Sequence, residues 1–189
     1  ITSSEHMKSR ILSINKKFLY DELENFEVLL IPGFQGINNK GELTTLGRGG
    51  SDTSAVAVAA AMETECIIYT DVEGVFTTDP NIVPKAKKIN KISYEEMLEL
   101  ASQGAKVLQT RSVELAMRKN TKLSVRSSFK PKKIGTMITD EKSVLENNTV
   151  SGITYSKDEA KITLSRVQDK PGVSSKIFGP LAKGNINVD

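Results

Sequence analysis

The chain has 189 residues with 26 basic and 23 acidic side chains, a net charge of +3, one cysteine, one histidine and no tryptophan. At 38% hydrophobic and 26% charged residues it can bury a core, and its length suits one domain or one and a half; a lone Cys66 and a lone His6 exclude an intrachain disulfide and a four-ligand zinc site. No apolar run approaches the roughly 18 residues of a membrane span, no secretory leader opens the chain, and a surplus of three charges makes no basic face, so a cytoplasmic protein with no nucleic-acid or membrane partner is expected.

The first expected strand is Phe26–Ile31 (FEVLLI), a continuous apolar run of the kind buried on both faces of a sheet, closed by Pro32-Gly33. Asn38-Asn39-Lys40-Gly41 is a turn signal between β-prone pieces and predicts a hairpin-like excursion over residues 34–46. Behind Gly47-Arg48-Gly49-Gly50-Ser51-Asp52, the short-chained apolar run Thr53–Met62 predicts a buried helix. Cys66–Tyr69 predicts a second buried strand, with Cys66 as plain core. Residues 71–88, carrying Gly74, Pro80 and Pro84, read as a long ordered loop, a length that usually indicates function. Ser93, with Glu96 three residues on, predicts a capping box for a helix that runs to about Ser102 and breaks at Gly104. A further helix is predicted over Ala105–Lys119, ending in basic residues with Asn120 behind them, and Leu123–Ser127 predicts another strand. Lys130, Lys132 and Lys133 read as a solvated loop. The alternation argues for an α/β fold with a mainly parallel sheet sandwiched by helices.

Residues 139–151 are polar and aperiodic and predict a linker or junction. Beyond them Ala160–Val167 alternates as a strand does, Asp169-Lys170-Pro171-Gly172 is a turn, and Val173–Ala182 opens a helix before Ile186-Asn187-Val188. This is the start of a β-α-β unit, and it divides the chain into residues 1–144 and 145–189.

Gly47–Asp52 is the sharpest local signal. Three glycines let backbone N–H groups approach a ligand closely, the following helix start adds partial positive charge, and Arg48 offers a planar fork for a carboxylate or phosphate. Asp52 either caps that helix or orients a group in phosphoryl transfer. A plain glycine turn with an N-cap and an anion site both satisfy these residues. No Gly-Lys-Ser/Thr follows, so the loop is not of the Walker type, and the glycine spacing is not that of a dinucleotide site. Thr70-Asp71 follows a buried strand, where α/β sheets place ligand loops, and Val75-Phe76-Thr77-Thr78-Asp79-Pro80 supplies hydroxyls, a carboxylate and an aromatic face; Asx and Thr turns explain the same residues without a ligand. Lys106, near the start of its predicted helix, opposes the helix dipole and points weakly to an anion. His6 is assigned no role, and no set of side chains is assigned to a metal.

Four segments together resemble the aspartokinases of the amino acid kinase family: Gly33-Phe34-Gln35-Gly36; Thr45 to Thr53 (TLGRGGSDT); Tyr69 to Pro80 (YTDVEGVFTTDP); and Gly104-Ala105-Lys106-Val107-Leu108. They come in the family's order and at its spacing, and the resemblance covers nearly the whole chain. It implies phosphoryl transfer from ATP, with Mg2+, to the side-chain carboxylate of L-aspartate, giving 4-phospho-L-aspartate, the first step toward lysine, threonine and methionine. It also implies roles. Arg48 would hold the substrate α-carboxylate, with Gly33, Phe34, Gly49, Gly50 and Ser51 lining the pocket and Asp52 as the organising catalytic aspartate. Thr70, Asp71, Phe76, Thr77, Thr78, Asp79, Pro80, Asn81 and Lys106 would hold the nucleotide. The C-terminal piece resembles the first half of an ACT domain, which implies an amino-acid effector, lysine or threonine, near Asp169, Gly172 and Val173, and a homodimer or higher oligomer.

Two departures accompany the resemblance. The family's early Lys-Phe-Gly-Gly type motif has no counterpart in these 189 residues, so the chain reads as shortened at both ends, and a non-catalytic fragment or amino-acid-sensing chain is the alternative. Glutamate, acetylglutamate and UMP kinases are the rivals within the family. After Leu108 the family's His-Pro is replaced by Gln109-Thr110.

Overall fold

Asn15 opens the first helix, its side-chain oxygen accepting the Phe18 N–H at 3.1 Å, and α1 runs Lys16–Asn25. Its apolar side chains find no core, and none of its residues is buried. In this computed structural model the described residues are 1–5, 7–105, 107–140, 150–155, 167 and 170–184. The chain divides into two compact units, Ile1–Ser156 and Lys157–Asp189.

In the first unit β1 (Gln35–Ile37) and β2 (Leu43–Thr45) form the expected antiparallel hairpin. Its turn is held by buried Asn38, whose side-chain oxygen accepts the Lys40 and Glu42 N–H groups at 2.9 and 3.0 Å. The N-terminal segment lies along this hairpin: Thr2 N–H donates to Ile37 O, Ser9 N–H donates to Thr45 O, and the Thr2 and Thr44 hydroxyls share a buried 2.6 Å bond. The sheet proper contains β3 (Cys66–Thr70), β4 (Lys91–Ser93), β5 (Leu123–Ser127) and β6 (Thr136–Thr139) in the order β3-β5-β6-β4. β3/β5 and β4/β6 pair in parallel, and the two pairs are joined by antiparallel β5/β6. The sheet is therefore mixed. β4 and β6 are too short and too polar to stand out as apolar runs, and pairing alone makes them strands.

Three helices pack on one another and on this sheet: α2 (Gly50–Ala61), α3 (Tyr94–Ser102) and α4 (Thr110–Lys119). Val56, Met97, Val113 and Ala116 meet Ile92, Leu123, Val125 and Ile138 in the core, all with essentially no exposed surface. Burial of each larger side chain contributes about 1.5–3 kcal/mol. Cys66 belongs to this core, and burial, helped by the charge of Asp52, pushes its thiol up to about 11. The capping box on α3 forms as expected, with Ser93 and Glu96 each satisfying the other's backbone N–H.

Two expectations fail. Phe26–Ile31 is not a strand: among the described residues none of the six strands pairs with it, and Leu30 is 96% exposed. Apolarity makes a strand only where a neighbour takes its backbone hydrogen bonds. The helix predicted over Ala105–Lys119 begins at Thr110, with Gln109 in extended conformation as its N-cap. The chain first bends back on α3 through the Ala105 N–H to Leu100 O bond, then drives Leu108 into the core before it can coil. With the helix start at Thr110, the dipole argument built on a start at Ala105 falls; Lys106 itself lies outside the described residues.

In the second unit α5 spans Val173–Lys183 behind a Pro171-Gly172 turn, with Gly172 at φ 86° as its N-cap. The strand expected at 160–167 and the one begun at 186–188 lie mainly outside the described residues, as do Asp169 and most of the expected linker.

Candidate functional site

The glycine loop gets its shape from backbone that only glycine adopts easily. Gly47 and Gly49 have φ of 79° and 68°, in the left-handed region, and a Cβ on Gly49 would collide with the Gln109 side chain. Gly49 is also the N-cap of α2 and supplies no side chain, so no side-chain capping bond closes this helix start; the Gly50 N–H is taken by Gly47 O at 3.0 Å. Asp52 is not the cap; it sits in the helix's first turn. The reading in which Asp52 caps a plain turn is thereby overturned, and the N-terminal N–H groups of α2 keep the anion-binding character of a helix start.

Asp52 is about half-buried. Burial raises its carboxyl above the ordinary aspartate range, and the Gln109 backbone N–H, directed to it from the start of α4, works against that rise. The carboxylate therefore lies at the positive ends of two helices, in the first turn of α2 and before the first turn of α4.

Gly33 and Phe34 close over this loop. A Cβ on Gly33 would lie 3.3 Å from Ser51 Cα, and the Phe34 ring packs where a Gly50 side chain would need to be. Phe34 N–H donates to Ser54 Oγ at 3.2 Å, and its carbonyl accepts the Leu46 N–H at 2.9 Å. Phe34 has φ 69°, a strained conformation for an aromatic residue and one that surrounding contacts must hold. Gly33, Phe34, Gly49, Gly50, Ser51 and Asp52 are thus brought together as expected. Arg48 is exposed and lines a cavity of about 660 Å³ together with Arg10, Arg111, Arg118 and Glu114. Four arginines and Lys8 against one carboxylate make this cavity attractive to anions, and Gly33, Phe34, Ser51 and Asp52 do not line it.

The second candidate region leaves the end of β3. Thr70 donates its hydroxyl to Asp71 Oδ1 at 3.1 Å, and its carbonyl accepts both the N–H and the hydroxyl of Ser128, at 2.8 and 2.7 Å. Beyond it, Thr77 and Lys87 are joined twice, Thr77 N–H to Lys87 O at 2.9 Å and Lys87 N–H to Thr77 Oγ1 at 3.1 Å, beside a bridge between Phe76 and Lys88. Asp79 forms an Asx turn onto the Asn81 N–H at 2.8 Å. Thr136 pins the whole excursion: its buried hydroxyl accepts the Val75 N–H at 2.8 Å and donates to Ile89 O at 2.5 Å. Lys130 and Lys133 both pair with Glu73, at 2.5 and 3.6 Å, which holds the Glu73 carboxyl below its ordinary range. No hydrogen bond among the described residues joins this region to the glycine loop. Gln109 and Arg111 were missed in the sequence: Gln109-Thr110 was visible as a departure, but nothing local connects Arg111 to residues 46–52.

The mixed sheet, the glycine-rich helix start and the loop leaving β3 define the class. The amino acid kinase family matches residues 1–127, and the chain belongs to that family. Within it, the chain is similar to aspartate kinases along its whole length. The chain is 52% identical over 191 residues to the aspartate kinase of Pseudomonas putida and 51% identical over 194 residues to an aspartokinase of Helicobacter pylori, covering 100% of itself and 46% and 48% of those proteins. Among solved structures it resembles Escherichia coli aspartokinase III in complex with aspartate and ADP, with TM-score 0.68 and 30% identity, over 100% of this chain and 43% of that one. N-acetylglutamate synthase from Neisseria gonorrhoeae, at 14% identity and TM-score 0.55, shares the fold alone. The chain spans about half the length of the curated relatives it matches. No helix among the described residues is long and apolar enough to cross a membrane.

Proposed function

We propose that this chain carries the aspartate- and nucleotide-binding part of a cytoplasmic aspartate kinase, which moves the γ-phosphoryl group of ATP to the β-carboxylate of L-aspartate to give 4-phospho-L-aspartate. The observation that carries the reading is the closure of Gly33-Phe34 over Gly50-Ser51, with Arg48 lining a basic cavity and Asp52 half-buried in the first turn of α2.

Arg48 would clamp the substrate α-carboxylate through two parallel hydrogen bonds, and the small residues Gly33, Gly49, Gly50 and Ser51 would leave room beside the Phe34 ring for the rest of aspartate. The first N–H groups of α2 would face the charge that builds on the transferred group, which is where transfer of this kind is stabilised. Asp52 would orient the positive groups around that charge. Thr70, Asp71, Phe76 to Asn81 and Lys106 would hold the nucleotide, with threonine hydroxyls as donors and Phe76 as an apolar face. Magnesium would come with the nucleotide, held chiefly by its phosphates and water. Bound there, the ion would neutralise phosphate charge, and Asp52 would be the carboxylate of the glycine loop nearest in chemistry to holding it.

Residues 145–189 would begin an ACT domain, separated from the kinase part at 144/145. Gly172 and Val173 at the start of α5, with Asp169, would contact an amino-acid effector, lysine or threonine, in a homodimer or larger oligomer.

The test is a hydroxylamine trap for acyl phosphate with Mg-ATP against aspartate, glutamate and N-acetylglutamate, with ADP release followed in parallel. Hydroxamate from aspartate alone is expected of the native full-length protein; hydroxamate from another acid, or ADP release without hydroxamate, sinks the reading.

A further inference from the structure

We propose that Arg111 is the positioning residue of the glycine loop, and that its two-pronged grip on backbone carbonyls places Arg48 and Asp52 for substrate. The role rests on reading that loop as the aspartate site. Arg111, in the first turn of α4, donates Nη1–H to Leu46 O at 2.9 Å and Nη2–H to Ser9 O at 2.7 Å, reaching across 65 and 102 residues of chain. Leu46 is the buried residue just before the loop, and its own N–H is held by Phe34 O at 2.9 Å. The entrance to the loop is thus gripped from both sides.

The exit of the loop is held by the same turn of α4. Gln109 packs its side chain against Gly49, where a Cβ would collide with its Cγ. Arg48 lies between the two grips. Gly47 and Gly49 have little conformational preference of their own, so the path of residues 47–52 is decided by what holds its ends. A guanidinium suits this task because its planar fork engages two carbonyls at once, whereas a lysine ammonium is a single point charge. The bond to Ser9 also locks in the N-terminal segment, which lies along the β1–β2 hairpin leading into the loop.

The experiment compares wild type, Arg111→Lys and Arg111→Met in the native full-length protein, by steady-state kinetics with each substrate varied and by amide hydrogen exchange without substrate. Both variants are expected to lose on the order of 10²-fold in kcat/KM for aspartate, the scale of a small misplacement of a reacting group, with the KM for ATP unchanged. Amides of residues 46–52 should exchange faster, and those of residues 70–81 should not. Three results would overturn the proposal: a wild-type-like Arg111→Lys, which would make the cavity's charge the relevant property; parallel rises in KM for aspartate and ATP, which a merely structural role produces; or unchanged exchange at 46–52. If wild type makes no acyl phosphate from aspartate, the functional reading fails while the exchange data still decide whether Arg111 positions the loop.

Discussion

The two candidate loops of the first unit are built on opposite principles. Gly47–Asp52 is shaped by what is missing: absent side chains at Gly47, Gly49 and Gly50 let Met7, Gln109, Phe34 and Leu46 close in, and the backbone takes conformations that other residues adopt only under strain. Residues 70–90 are shaped by what is present, a set of hydroxyl, Asx and backbone hydrogen bonds anchored on Thr136. A site made by close approach is intolerant of added atoms; a site made by hydrogen bonds is intolerant of lost ones.

The largest expected effect tests the first principle at its chemical centre. Asp52→Asn should lower kcat by about 10²-fold or more, as removal of a group that organises transition-state charge does. The same change should raise Tm at neutral pH, because burial lifts the folded carboxyl above its unfolded value, so the fold binds the proton more tightly and loses stability as pH rises through the window above the ordinary aspartate pKa. The Tm advantage should vanish once pH falls below that ordinary value; calorimetry from pH 3 to 8 reads it, and a Tm gain independent of pH would refute the burial argument.

Gly49→Ala comes next. Left-handed backbone alone costs on the order of 1–3 kcal/mol, and the collision with Gln109 adds to it, so thermal stability and the KM for aspartate should both worsen. Thr136→Val tests the second principle: a same-shaped side chain strips the buried Val75 N–H of its acceptor, which should cost about 1–3 kcal/mol by urea denaturation and raise the KM for ATP more than that for aspartate. Equal changes in the two KM values would mean that the two loops are not separately built. The smallest effect belongs to Glu73→Gln. Its pairs with Lys130 and Lys133 are exposed, and no change in Tm is expected at physiological salt.

Local chemistry made much of this readable. The Asn38–Gly41 hairpin, the α2 run of small apolar residues, the Ser93–Glu96 capping box, Leu123–Ser127 and the Val173 helix all formed where their residues predicted, because each is decided by turn geometry, a cap or a continuous apolar face within a dozen residues. The glycine loop could be read as a place where backbone must come close, but not as to what it came close to. Nothing in Gln109 or Arg111 announces that they sit against residues 46–52, since contacts across more than 50 residues leave no local pattern.

By itself, then, the sequence determined the α/β class and the glycine loop, because torsional freedom, capping and apolarity are properties of short stretches. Tertiary structure alone decided that Phe26–Ile31 would stay unpaired among the described residues, that β4 and β6 would become strands, that α4 would start at Thr110, and that Gln109 would pack against Gly49. Each of these turns on whether a distant segment supplies a hydrogen-bond partner or a packing surface, and that depends on the path of the whole chain.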